Sequence, residues 1–328
     1  ACRPVQGARM HRLYPARNAH HTEFIATEDR SHQLCLELHG NPDGLPVICL
    51  HGGPGAGTSP MMHRFFDLDK FHVLCFDQRG AGRSLPVADL TANTTEHLID
   101  DISWIAAHVG FKRFALFGGS WGATLALLYA SRHVENILGI VLRGAFLATE
   151  QDLLWLYGGG AEVLYPAAWR DFLAPIRGVE PTLDAILAAY GSALTCDDEF
   201  QRNRAARAWN LWESRVSICD PTVPPKAEGT LARDYAMARI EHHYVSQGCF
   251  LEPGAVLASV ADLEQIPAEL VHGQRDHVCL VQNAHSLKAH WPNLRLELPE
   301  RGGHSAFTPE MAEALCRATA RLANRYGY

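Results

Sequence analysis

Ser120, Asp276 and His304 are the residues of this chain whose types and order could cleave an acyl bond. A serine hydroxyl is a weak nucleophile until a base takes its proton, and the base needs a third group to hold its tautomer. Ser120 sits in Gly118-Gly119-Ser120-Trp121-Gly122, of the form G-x-S-x-G. On its own that motif also reads as a glycine-rich turn with an incidental serine. Asp276 alone reads as a turn residue, and His304 alone as a surface histidine. The three in the order serine, acid, histidine, each just after an apolar run, are what point to acyl transfer. In this reading Ser120 attacks a carbonyl, His304 carries the proton to the leaving group, and Asp276 steadies the imidazole. The developing oxyanion needs two fixed donors. The N–H of Trp121, directly after the nucleophile, is one; Gly53, in His51-Gly52-Gly53-Pro54-Gly55, is the candidate for the other.

These residues must be positioned by strands and helices that the pattern supplies. Arg113 to Phe117 reads as a short buried strand and Ala123 to Arg132 as an Ala- and Leu-rich helix, so Ser120 stands at a sharp strand-to-helix turn. That is the nucleophile elbow of α/β-hydrolases. Pro46 to Leu50 is a fully apolar run, the mark of a central strand, and it ends in the glycine loop. Phe71 to Phe76 is the next buried strand. It runs into Asp77 to Ser84, a turn expected to pack beneath that loop. Two further strands, His21 to Thr27 and Gln33 to His39, precede them around a polar turn. Thr94-Thr95-Glu96 opens a helix to about Val109 with Leu98, Ile102, Ile105, Ala106 and Val109 on one face. Ile137 to Leu142, Glu269 to Gly273 and Leu294 to Leu298 complete the strands. Gln282 to His290 and Pro309 to Tyr326 are the later helices. The alternation predicts an α/β fold with a mostly parallel sheet and helices on both faces. From Leu147 to Ala261 the pattern turns helical, and Trp155, Trp169, Trp209 and Trp212 all fall there. The expected organisation is a catalytic α/β-hydrolase core over 1–146 and 262–328 with a helical cap inserted over 147–261.

Bulk properties narrow the function. The 328 residues are 47% hydrophobic and 20% charged with net charge −7, which is globular composition and argues against nucleic acid as a partner. No apolar run approaches the roughly 18 residues that span a membrane. Ala1 to Met10 is polar, so no secretion signal is expected, and Met10 is a candidate internal start. Nine cysteines without a C-x-x-C, two of them (Cys49 and Cys75) inside apolar strands, read as reduced thiols of a cytoplasmic protein. The 18 histidines show no metal-ligand spacing; no metal and no cofactor are expected.

With these residues in hand, the chain resembles the prolyl iminopeptidases, serine peptidases of the α/β-hydrolase class. The matching stretches are His51-Gly-Gly-Pro-Gly, Asp77-Gln-Arg-Gly-Ala-Gly-Arg-Ser, Asn93-Thr-Thr, Gly118-Gly-Ser-Trp-Gly, Leu142-Arg-Gly, Trp209-Asn-Leu-Trp-Glu213, Ala238-Arg-Ile-Glu241-His-His-Tyr and Gly303-His-Ser. They run from about Leu13 to the C-terminus. The elbow and glycine loop occur in many hydrolases, while the stretches around Glu213 and Glu241 are far more specific. The resemblance implies release of an N-terminal proline from peptides. It also implies that two cap glutamates, Glu213 and Glu241, bind the substrate's amino group. The physics agrees: an α-amino group has a pKa of roughly 8 and is largely cationic at neutral pH. Without the resemblance, each glutamate reads as a solvated helix carboxylate. The family's apolar proline pocket maps onto Phe146, Val278 and Cys279, with Arg143 near the base of the cap. Two departures bear on pocket shape: Gly273-Gln274-Arg275-Asp276 replaces the usual Gly-Arg-Tyr-Asp, and Trp155-Leu156-Tyr157-Gly158 has lost the Gln-Glu that usually follows its aromatics. The alternative enzyme is a small-ester hydrolase or amidase of the same fold. A non-catalytic relative acting as a receptor or scaffold would usually lack a triad member. Haloalkane or epoxide chemistry would want Asp where Ser120 stands. The natural peptides and the oligomeric state stay open.

Overall fold

The computed structural model describes residues 13–218, 223–225 and 229–328. The readings made on Ala1 to Met10 lie outside the described residues. The strands are β1 (His21–Ala26), β2 (Gln33–Gly40), β3 (Leu45–Leu50), β4 (Phe71–Phe76), β5 (Phe114–Ser120), β6 (Ile137–Ala145), β7 (Ala268–Val271) and β8 (Arg295–Glu297). They form one sheet in the order β1-β2-β4-β3-β5-β6-β7-β8. The pairs β1–β2 and β2–β4 are antiparallel; every pairing from β4 through β8 is parallel. The chain is an α/β hydrolase in architecture, as its strand pattern predicts.

Successive side chains of a strand face opposite ways, and here each face has its own core. Ile48, Leu50, Leu74, Phe76, Phe114 and Leu116 belong to one apolar cluster. Val47, Cys49, Val73, Cys75, Ala115 and Phe117 belong to the other. The first face is covered by helices α1 (Thr95–His108) and α2 (Trp121–Arg132). Both faces being buried explains why these strands are continuous apolar runs without alternation. Helix α2 is itself buried from Trp121 to Ala130, because it lies between the sheet and its neighbours.

The helical segment supplies α3 (Glu150–Tyr157), α4 (Pro166–Leu173), α5 (Leu183–Thr195), α6 (Glu199–Ser217) and α7 (Leu231–Val245). Local signals fix their starts. Thr149 and Asp152 form a reciprocal capping box on α3, and Asp198 and Thr230 accept backbone N–H groups at the starts of α6 and α7. A separate aromatic cluster holds them together, with Tyr157, Trp169, Phe172, Tyr190, Trp209 and Trp212 at most 2% exposed. Next come α8 (Ala255–Ser259), α9 (Val281–His290) and α10 (Pro309–Arg325). Val256, Val260 and Leu263 already pack into the cluster under α1 and α2. Helix α10 buries Met311, Ala314, Leu315, Ala318 and Leu322, one face at helical spacing, and closes the second face of the sheet.

The last two strands are shorter than their apolar runs suggest. β7 stops at Val271, and His272 and Gly273 bend away towards Asp276; His272 N–H still donates to Glu297 O at 3.0 Å. Among the described residues no helix is long and apolar enough to cross a membrane. The described cysteines are free thiols, most of them buried.

Candidate active site

Ser120 ends β5 and precedes α2 with φ 56° and ψ −125°, a conformation costly for a residue with a side chain. The turn is forced by close packing on either side. A Cβ on Gly118 would collide with the Gly122 carbonyl, and one on Gly122 with the carbonyl of Leu50 in β3. The strained turn lifts the serine off the sheet's carboxyl edge. The glycine loop after β3 lies over it: a Cβ on Gly52 would come within 3.3 Å of Ser120 Cβ. Gly53 holds φ 106°, which favours glycine. The Trp121 N–H lies in the first turn of α2, where a helix leaves its donors without intrahelical acceptors. Beneath the loop, Gln78 N–H donates to His51 Nε2 at 2.9 Å and its side-chain amide donates to His51 O at 2.9 Å. Asp77 accepts the Thr58 N–H. The Asp77 turn thus braces the loop.

Asp276, after β7, and His304, after β8, meet beside Gly144. His304 Nδ1 donates to Asp276 Oδ2 at 2.8 Å, which leaves Nε2 as an acceptor. The other carboxylate oxygen accepts the N–H of Val278 at 3.0 Å and of Cys279 at 2.9 Å. Burial opposes ionisation of Asp276. The charge and hydrogen bond of His304, with His272 and the Cys279 N–H, outweigh it and hold the carboxyl below its usual value. His304 Nε2 faces Arg143, whose Nη1 donates to it at 3.0 Å. Arg143 itself is half-buried, and desolvation of its guanidinium lowers its pKa against the support of Asp276. Ser120, Arg143 and His304 line one cavity of about 420 Å³, and Glu213 and Glu241 line it too. The Ser120 side chain also lies beside the Cys279 thiol.

A second, smaller chamber of about 30 Å³ opens from Ser120 and Gly53 towards Phe146, Leu153, Val278 and Cys279. Its walls are mostly apolar. Cys279 is 1% exposed, and burial pushes its thiol well up, so it is a wall and a poor nucleophile at neutral pH.

Both glutamates face this chamber from adjacent helices, Glu213 from α6 and Glu241 from α7. Glu241 is 4% exposed. Burial pushes its carboxyl well above the ordinary range, and the neighbouring Glu213 adds to the effect. Trp209 Nε1–H donates to Glu241 Oε2 at 2.9 Å. The Tyr157 hydroxyl stands 2.7 Å from Glu213 Oε1 and 3.0 Å from Glu241 Oε1. Among the described residues neither glutamate has an ion-pair partner. Tyr157 and the indole of Trp209 were not among the binding residues expected from sequence. A tyrosine in an apolar helix reads as core, and nothing in its neighbours announces where its hydroxyl points.

Comparison with known proteins agrees with the fold. The α/β hydrolase fold family matches residues 46–310. A proline iminopeptidase of Xylella fastidiosa is 43% identical over 313 residues, covering 94% of this chain and 99% of the relative. One from Neisseria gonorrhoeae is 39% identical, covering 93% and 97%. Among solved structures, a proline iminopeptidase from Mycobacterium smegmatis superposes with a TM-score of 0.57 at 18% identity, over 93% of this chain and 100% of that one. This last likeness concerns the fold alone.

Proposed function

The chain belongs to the proline iminopeptidase family of α/β hydrolases, and from that membership we propose that it releases N-terminal proline from peptides through an acyl-enzyme on Ser120. The observation that carries the reading is the pair Glu213 and Glu241, two carboxylates without a cation, facing the same chamber as Ser120. An esterase for neutral substrates gains nothing from such a pair. A peptide's terminal ammonium supplies the missing charge.

The proposed steps run as serine acyl transfer does. Proline enters the chamber with its ring against Phe146, Val278 and Cys279 and its amine between the two glutamates. Ser120 Oγ attacks the prolyl carbonyl carbon while His304 Nε2 takes the hydroxyl proton. That transfer requires Nε2 to accept from Ser120 in place of Arg143, so the guanidinium gives up its contact as the reaction begins. The N–H groups of Gly53 and Trp121 hold the oxyanion. Collapse breaks the C–N bond, and His304 returns the proton to the leaving amine. Water, deprotonated by His304, then attacks the prolyl ester and frees proline. Asp276 keeps Nδ1 protonated throughout. In this reading residues 147–261 are the cap, rooted in the core by Val256 and Val260, and the free thiols support a reducing, cytoplasmic setting.

The test is a comparison of kcat/KM for proline arylamide, N-acetylproline arylamide and a simple acetate ester. The free amine should be strongly preferred over its acetylated form. Equal cleavage of the two arylamides would replace the aminopeptidase reading with a general esterase or amidase.

A further inference from the structure

The Tyr157 hydroxyl touches two carboxylate oxygens, 2.7 Å and 3.0 Å away, yet it has one proton to give. Were Glu213 and Glu241 both ionised, one of those contacts would bring two lone pairs together without a hydrogen between them. Both contacts become hydrogen bonds only if a carboxyl is protonated and donates to the tyrosine oxygen. Glu213 also lies within hydrogen-bonding reach of Glu241, a third contact that needs a proton between acceptors. We propose that the Glu213–Tyr157–Glu241 cluster of the free protein holds one extra proton, which the substrate's ammonium displaces into solvent on binding. The proposal rests on the aminopeptidase reading of the site.

The surroundings support one bound proton. From α3 the cluster faces Tyr157, with Asp152 also lining the chamber. From α6 it faces Trp209, whose Nε1–H is a neutral donor. Beyond Glu241 lies Cys249, whose thiol is itself pushed up by burial first and by Glu241 second. On the core side Arg143, Arg233 and His304 line the wider cavity, and none of them pairs with either glutamate among the described residues. Burial without a cation raises Glu241, and the adjacent Glu213 adds to the effect, because two like charges in one dry site disfavour each other. Tyrosine in turn is held in its neutral form by burial and by the two glutamates.

The exchange balances simply. The secondary ammonium of proline enters with both its protons and donates them to two carboxylates. One carboxyl O–H bond breaks, and its proton passes to the buffer; no electron pair moves on the substrate. The site is therefore electrically prepared for a cation while carrying only one net negative charge when empty. Ligand affinity follows proton linkage: where the ammonium predominates and the cluster keeps its proton, binding strengthens about tenfold per pH unit.

Calorimetric titration of the Ser120→Ala protein with L-prolinamide tests this, run near pH 6.5 in buffers of different ionisation enthalpy. The expected result is release of about one proton per prolinamide bound, with affinity rising roughly tenfold from pH 5.5 to 6.5. In Ser120→Ala carrying Glu241→Gln, release should fall to near zero. Prolinamide binding that is selective over N-acetylprolinamide but exchanges no proton overturns the shared proton and leaves the aminopeptidase reading standing. Full proton release in the Glu241→Gln protein also overturns it. Equal binding of the two amides, or binding of neither, overturns the aminopeptidase reading and this proposal with it.

Discussion

Asp276, behind His304, and Glu241, in the wall of the neighbouring chamber, are both buried carboxylates, and the fold treats them in opposite ways. Asp276 is surrounded by donors, His304 and two backbone N–H groups, with the His272 ring nearby at 3.7 Å. Its charge is provided for by the protein, and its carboxyl is held low. Glu241 has an indole and a phenol for company and another carboxylate beside it. Its charge is left without a cation, and its carboxyl is held high. Under the proposed function the difference has a meaning: the group that serves every turnover is completed by the fold, and the group that recognises a charge is left for the substrate to complete. On that proposal the core half is preorganised for chemistry and the helical half for selection.

The difference can be broken first at the core. Asp276→Asn should reduce kcat on the order of 10⁴-fold, because the amide favours the wrong imidazole tautomer. The loss should be equal for a proline arylamide and a neutral ester, since both depend on His304. A loss confined to the amide would put Asp276 in recognition and dissolve the contrast. At the cap the effect should be smaller and selective. A charge-assisted hydrogen bond in a dry site is worth roughly 1.5–3 kcal/mol, so Glu213→Gln or Glu241→Gln should lower kcat/KM for proline arylamides about ten- to more than a hundredfold. Ester turnover should barely change, and the double mutant should lose less than the sum because one cation is shared. Parallel loss of ester and amide turnover would show the carboxylates to be structural.

Tyr157→Phe sharpens the same contrast at lower amplitude. It removes one hydroxyl shared by the pair and leaves the ring stacked on Trp209, 4.6 Å between centroids. A neutral hydrogen bond is worth about 0.5–1.5 kcal/mol net, so KM for free-amine substrates should rise roughly two- to tenfold with kcat nearly constant. An unchanged KM would mean that the hydroxyl only fills space.

The core half was far more legible in the sequence than the cap half. The apolar runs of β3, β4 and β5 have one interpretation in a sheet buried on both faces, and their ends deliver the glycine loop, Ser120 and the Asp77 turn. Asp276 and His304 were drawn out because an activated serine needs a base and an acid, and the elbow of this fold predicts them in the order serine, acid, histidine. In the cap, helical periodicity gave the class of structure but not its contacts. Glu213 and Glu241 lie 28 positions apart on different helices, and only a family resemblance drew them out. Tyr157 and Trp209 were invisible as partners, since aromatic residues on helices are usually core, and here they are core as well as hydrogen-bond donors. Arg143 was expected at the base of the cap; its contact with His304 Nε2 depends on a rotamer that no sequence pattern encodes.

The smallest expected effect compares the two carboxylates directly, through stability against pH. Asp276 has a folded value below its unfolded value of about 3.9. Its contribution is present above that unfolded value and is lost only as pH falls through the lower folded one. Glu241 runs the other way, with a folded value above an unfolded value of about 4.3. Its contribution is present below that value and drains away as pH rises towards the folded one. Thermal unfolding of the ligand-free variants should show both signs between about pH 5 and 8. Asp276→Asn should be less stable than wild type by a gap that hardly varies with pH, because both of its values lie below the window. Glu241→Gln fixes the neutral form, so its Tm should gain on wild type as pH rises. The gain should reach a few degrees, at about 2–4 °C per kcal/mol for a chain somewhat smaller than this one. A Glu241→Gln protein that is less stable than wild type by a constant margin at every pH would mean that Glu241 is ionised and satisfied in the fold. The cap carboxylate would then be built like Asp276, and the division between a completed half and an incomplete half would fall.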